Sequence, residues 1–194
     1  NRLSIMDPEY GRQPLLSDDK EIIVAYNGEI YNQFELRKKL IEQNVNFKSL
    51  SSDTEVVLKG YITWGEDLFK KIDGQFAIVI IDLKKKEVII GRDKFGEKPL
   101  YYLDFKNGSF AFASEISSFE HMPGFSHSLD LNGVASFFQR GYVAAPLSIW
   151  KNIKKVMPAT RLTITFGNDR KYYLSKEEKY WSVSDIATKG QRNL

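Results

Sequence analysis

The sequence predicts an α+β domain in which helices pack on antiparallel sheet. Three observations point there. A short apolar run with a β-branched centre, Glu21 to Ala25, leads into a segment of helical spacing. From Gly74 onward the apolar period changes to two over several successive segments joined by short polar turns. The length of 194 residues, with 42% hydrophobic and 13% aromatic content, suffices to bury one substantial core.

The elements follow in order. The run Glu21 to Ala25 reads as a buried strand that ends at Asn27-Gly28, a pair that by itself signals a turn. Asn32 to Gln43 sets Phe34, Leu36, Leu40 and Ile41 at helical spacing, and Asn32 with Glu35 three residues on forms a cap signature. A second helix starts at Ser52 or Asp53, carries Val57, Tyr61 and Trp64 on one face and stops at Gly65. Gln75 to Leu83, Glu87 to Asp93, Leu100 to Phe105 and Ser109 to Ala113 read as strands of an antiparallel meander. Asn132 to Gln139 reads as a helix, Thr160 to Phe166 with Lys171 to Leu174 as a hairpin, and Lys189 to Leu194 as a frayed end.

Composition narrows the function. With 28 basic and 25 acidic residues the net charge is only +3, and the one tight basic run, Lys84 to Lys86, sits where a solvated turn is expected, so nucleic acid is not expected as a partner. The longest apolar stretch, Phe76 to Ile81, falls far short of the roughly 18 residues of a membrane span. The chain has no cysteine, which removes disulfides and thiolate metal sites and fits a reducing, cytoplasmic setting. His121 and His127 have no flanking carboxylate pattern, so they read as loop residues and no metal is expected.

The strings NRLSIMD at 1–7, AYNGEIYN at 25–32, SDTE at 52–55 and GRDKFGEKPLYY at 91–102 stand in one order along the chain. In that order they resemble class II glutamine amidotransferases, most closely the N-terminal domain of the asparagine synthetase family. The later match FFQRGYV at 137–143, with Ala145-Pro146 and Ser148-Ile149 after it, favours that branch over phosphoribosyl or hexosamine amidotransferases. The resemblance runs from Arg2 to about Trp181. It implies the four-layer αββα sandwich of N-terminal-nucleophile (Ntn) hydrolases, with two antiparallel sheets and the first strand missing. It also implies a type 2 amidotransferase domain over residues 1–183, with 184–194 a polar tail or the start of a linker.

Hydrolysis of glutamine's side-chain amide requires a nucleophile, a base, donors for the oxyanion and groups that hold the α-carboxylate and α-ammonium. A guanidinium suits the carboxylate, which Arg2 could bind bidentately; alone, Arg2 reads as a surface residue. Asn27 and Gly28 can offer a carboxamide N–H and a backbone N–H to one oxygen, against the plain turn reading of the pair. Asp53 has two compatible readings, a helix cap and an acceptor for the ammonium, and a cap at Ser52 would free it for the second. The resemblance implies that Arg2 binds the carboxylate, Asn27 and Gly28 stabilise the oxyanion, Glu29 lines the pocket and Asp53 takes the ammonium. Arg92, Asp93, Gly96, Lys98 and Pro99 carry no acid–base logic and read as scaffold.

The chain departs from the family pattern in lacking the initial cysteine whose α-amine serves as base, in carrying Asn1 where the family has histidine or arginine, and in having no pyrophosphate loop of the Ser-Gly-Gly-x-Asp-Ser kind. Asn1 cannot replace the nucleophile, because a carboxamide nitrogen is not basic. Two readings follow. In the first, the chain is the glutamine-hydrolysing part of a longer asparagine-synthetase-like enzyme, inactive by itself. Its partners are then glutamine and a C-terminal synthetase domain, with a homodimer left open, and ATP and Mg are needed only in that synthetase domain. In the second, it is a non-catalytic scaffold of the kind found in β-lactam synthetases.

Overall fold

The computed structural model describes residues 13–105 and 107–191, and among these nine strands form two antiparallel sheets. The larger sheet contains β1 (Leu15–Leu16), β2 (Ile22–Ile30), β3 (Gly74–Asp82), β4 (Glu87–Arg92), β8 (Thr160–Phe166) and β9 (Tyr172–Lys179), in the order β1-β2-β3-β4-β8-β9. The smaller has the order β6-β5-β7, from β5 (Tyr101–Asp104), β6 (Phe110–Ala113) and β7 (Ile153–Lys155). The α+β class with two antiparallel sheets therefore stands. The single meander expected from Gly74 onward is corrected: β2, β3 and β4 do run as a meander, but after Arg92 the chain leaves that sheet and builds the second one. The strands β1 and β7 are too short to show a period.

The strand expected to stop at Asn27-Gly28 instead runs through them to Ile30 and pairs with β3 along its whole length, from Ile22↔Asp82 to Ile30↔Gly74. The Asn-Gly turn signal fails because Gly28 lies inside the ladder at φ +150°, with its α-carbon against the β3 backbone. A Cβ built there would sit 2.0 Å from the Gln75 carbonyl oxygen.

Three helices lie on one face of the large sheet: α1 (Gln33–Glu42), α2 (Asp53–Trp64) and α3 (Leu68–Lys71). Helix α2 has the expected bounds, with the Ser52 hydroxyl accepting from the Glu55 N–H at 3.3 Å and Gly65 as C-cap. Helix α1 differs from its sequence reading. Leu36 and Leu40 are buried, but Phe34 and Ile41 are exposed, and Gln33 and Arg37 take the buried positions. The Asn32 side chain does not cap α1; it spans to the other end of the layer, donating to the Lys71 carbonyl and accepting from the Asp73 N–H, each at 2.9 Å.

The apolar contacts fall into three layers. Val24, Leu36, Leu40, Val57, Phe69, Phe76 and Ile78 fill the space between helices and large sheet. Ala77, Val79, Ile90, Leu100, Tyr102, Val156 and Leu162 fill the space between the sheets. Leu103, Ala111, Phe119 and Ile153 cover the far side of the small sheet. A fully buried phenylalanine such as Phe69 or Phe76 contributes about 1.5–3 kcal/mol of burial, so these layers rather than helix propensity hold the elements together. The outer layer on the small sheet is a 3-10 turn, Ile116–Phe119, with Phe125 and Trp150 packed beside it.

The crossover from large to small sheet is held by two side chains. Asp93 is fully buried, and its carboxylate accepts from four backbone N–H groups: Phe95 and Glu97 on Oδ1, Phe76 and Lys98 on Oδ2, at 2.9–3.2 Å. The Arg92 guanidinium donates to the carbonyls of Gly96, Val156 and Lys98 at 2.6, 2.7 and 2.8 Å. This is the scaffold role read from the sequence.

Helix α4 (Leu131–Arg140) is capped by Asp130 and turns its small residues Gly133 and Ser136 inward. Helix α5 occupies Val183–Gln191, within the stretch read from 184 as a polar tail or the start of a linker. Lys84 to Lys86 form the exposed turn expected between β3 and β4, with Lys84 paired to Asp19 at 2.6 Å. His121 and His127 are exposed loop residues, and the described residues contain no group of three or more His, Asp or Glu suited to a metal.

Candidate active site

Strand β2 presents the predicted residues in sequence, and its alternation decides which face each one serves. Val24, Tyr26 and Ile30 point into the layer beneath the helices, while Ala25 packs on the inter-sheet side. By the same period Asn27 and Glu29 stand on the inter-sheet side. Asn27 is exposed, and Gly28 and Glu29 are half-buried.

Asn27 is held from the second sheet. Its Nδ2 donates to Ser114 Oγ at 3.3 Å, and Ser114 directly follows β6. One amide hydrogen thus orients the carboxamide and the other remains for a further acceptor. Beside it, the close approach of β2 and β3 at Gly28 fixes the local backbone.

Asp53 arrives from the other face. As the first residue of α2 it is 6% exposed, and its Oδ2 accepts from the Tyr26 hydroxyl at 2.9 Å. The capping work is done by Ser52, so the Asp53 carboxylate is free of it, as the sequence reading allowed. The other acid of the first turn, Glu55, spends both oxygens on the N–H groups of Lys48 and Ser49, at 2.8 Å each. Helix α2 therefore brings Asp53 against the residue that precedes Asn27, and the N-terminal end of the helix favours its charge.

Tyr26 is itself clamped. The Gln13 carboxamide accepts from the Tyr26 N–H at 2.6 Å and donates to the Tyr26 carbonyl at 2.7 Å, standing in for a strand neighbour where β1 has ended. Neither Tyr26 nor Ser114 was singled out from the sequence. Tyr26 could have been noticed within the string AYNGEIYN, whereas nothing in the sequence distinguishes Ser114 from other serines after a strand.

Arg2 lies outside the described residues. Of the other predicted residues, Asn27, Gly28 and Glu29 are consecutive on β2, with Asn27 and Glu29 on its inter-sheet face, whereas Asp53 meets the same strand from the helix side, through Tyr26. A cavity of about 280 Å³ lies elsewhere, against the small sheet, lined by Tyr102, Phe125, Lys151 and Lys154, and it includes none of them.

Helices on the larger of two antiparallel sheets, with an Asn-Gly-Glu run inside β2, fit an amidotransferase fold of the N-terminal-nucleophile type. The chain belongs to the glutamine amidotransferase domain family, whose model matches residues 1–181. It is 35% identical over 198 residues to asparagine synthetase (glutamine-hydrolyzing) 3 of Bacillus subtilis, a match covering 100% of this chain and 32% of that protein. It is 34% identical over 205 residues to putative asparagine synthetase (glutamine-hydrolyzing) 2 of Methanocaldococcus jannaschii, covering 95% of this chain and 37% of that protein. The chain thus spans about a third of the length of these curated relatives. Among solved structures, the glutamine phosphoribosylpyrophosphate amidotransferase of B. subtilis, complexed with ADP and GMP, shares the fold at a TM-score of 0.55 and 22% identity, over 87% of this chain and 32% of that one.

Proposed function

We propose that this domain hydrolyses the side-chain amide of glutamine and supplies the ammonia to an activated carboxylate, within an asparagine-synthetase-like enzyme. The observation that carries the reading is the arrangement around β2: an orientable carboxamide at Asn27, next to a clamped tyrosine that holds Asp53. The family membership and the glutamine-hydrolysing relatives support it.

In this reading a thiolate attacks the amide carbon, and the developing oxyanion is met by the Asn27 carboxamide and the Gly28 N–H. Asp53 receives the α-ammonium by a charge-assisted hydrogen bond, Arg2 takes the α-carboxylate and Glu29 borders the pocket. These 194 residues include no cysteine, so the thiolate is supplied from outside them and the 194 residues alone do not turn over. ATP and Mg serve the synthetase portion that consumes the ammonia, not the residues described here.

The test is ammonia and glutamate release from glutamine by the full natural polypeptide, with Asn27→Ala beside it. Loss of one oxyanion donor is expected to lower kcat by about 10²–10³-fold. Wild-type protein that binds glutamine without hydrolysing it would favour the scaffold reading, in line with the β-lactam synthetase type. Full activity in Asn27→Ala would remove the oxyanion assignment.

A further inference from the structure

We infer that Tyr26 is a positioning residue for glutamine: its hydroxyl pins one oxygen of Asp53 so that the other is aimed at the substrate's α-ammonium. The inference rests on the glutamine-hydrolysis reading above and extends it to a residue that does not itself touch substrate.

A first-turn aspartate has an easy local use, bonding the N–H groups of its own helix. Here Ser52 has taken that place, with its hydroxyl on the Glu55 N–H, and Glu55 has folded back onto Lys48 and Ser49. Among the described residues the only hydrogen bond that the Asp53 carboxylate accepts is the one from Tyr26. A carboxylate with a single partner on Oδ2 has its remaining lone pairs on Oδ1 set in a fixed plane, which is the arrangement that an ammonium donor needs.

Tyr26 can set that plane because it has little freedom. It is 8% exposed, its backbone is held on one side by β3 at Ile78 and on the other by both ends of the Gln13 carboxamide. Its ring lies in the same apolar layer as Val24, Ile30 and Val57. The strand that carries Asn27 therefore also fixes the angle of Asp53. The groups for the amide and for the ammonium are thus carried on the two faces of one rigid piece of backbone.

The test compares Tyr26→Phe with wild type in the full natural polypeptide, using glutamine and its desamino analogue 4-carbamoylbutanoate. The variant is expected to raise KM for glutamine about tenfold with kcat little changed, while kcat/KM for the analogue, which has no ammonium to place, stays within about twofold. In an Asp53→Asn background, adding Tyr26→Phe is expected to change neither substrate further, because the coupling runs only through the charged carboxylate. Unchanged glutamine kinetics in Tyr26→Phe, or an equal fall for both substrates, would overturn the inference and leave Tyr26 a structural tyrosine. A wild-type polypeptide that releases no ammonia from glutamine would overturn the underlying reading, and this one with it.

Discussion

Gly28 on β2 and Gly74 on β3 flank the Glu29–Gln75 pair of the ladder, each pressed against the other strand's backbone. A Cβ on Gly28 would meet the Gln75 carbonyl oxygen at 2.0 Å, and one on Gly74 would meet the Glu29 carbonyl oxygen at 2.2 Å. Each strand lies so close that only a hydrogen fits, and the atoms in the way are backbone, which cannot swing aside. The Gly28→Ala variant is therefore expected to cost about 3 kcal/mol or more, because β2 and β3 must separate or φ must change. Urea denaturation measures it, and a midpoint equal to wild type would mean the strands part at little cost.

Asp93 gives a second prediction. An asparagine keeps the shape but replaces one acceptor oxygen with an NH2 group that faces backbone donors, so two of the four bonds are lost and donor is set against donor. Asp93→Asn is expected to lower stability by about 2–4 kcal/mol, and the melting temperature by several degrees. Calorimetry checks this. The effect belongs to the crossover, so Asp93→Asn changes glutaminase activity only through the fraction folded.

Alkali should act through two phenols. Burial first, then the hydrogen bond to Asp82 at 3.0 Å, keeps Tyr61 protonated well above the ordinary range near 10, and burial does the same for Tyr180. In the unfolded chain both ionise near pH 10, so the unfolded state releases protons that the folded state retains. The stability is fully present below pH about 10 and is lost as pH rises beyond it. Tyr61→Phe is expected to flatten that alkaline fall while lowering neutral stability by about 1–2 kcal/mol, since Asp82 loses a buried donor. Thermal midpoints between pH about 8 and 11 decide it.

Ser114 offers a milder test of the site. Its hydroxyl accepts from Asn27 at 3.3 Å, a long bond. Ser114→Ala is expected to lower kcat by about three- to tenfold, well short of the loss in Asn27→Ala, with KM for glutamine steady. Steady-state kinetics on the full polypeptide separates these, and a raised KM with unchanged kcat would place Ser114 on the binding side instead.

How much of this was legible in the sequence depends on how local each signal was. Helix α2 was read with its caps because Ser52 and Gly65 act on their own neighbours. The sequence shortens strand β2 because Asn-Gly has the same local signature whether it turns or, as here, lies flat against another strand; only the pairing with β3 distinguishes the two. Helix α1 departs from its local pattern because Arg37 is drawn inward to donate to the carbonyls of Ser49 and Ser52, and with Gln33 also buried this leaves Phe34 outside. The division into two sheets was hidden because a tight link within a sheet and a crossover between sheets both read as Gly and Pro. In the site, the motif carries Asn27, Gly28, Glu29 and Asp53, but Tyr26 and Ser114 act across sequence separations of 27 and 87 residues, so the partner of each is invisible locally even though Tyr26 itself lies within the AYNGEIYN string.

The link between the sheets depends on Arg92 and Asp93 gripping main-chain atoms alone, so it is indifferent to the identity of the side chains at 94, 95 and 97. Lys94 and Phe95 are thereby left to other work: both reach the Trp181 ring, and Lys94 also pairs with Asp73, so the turn that joins the sheets also anchors the stretch of chain after β9.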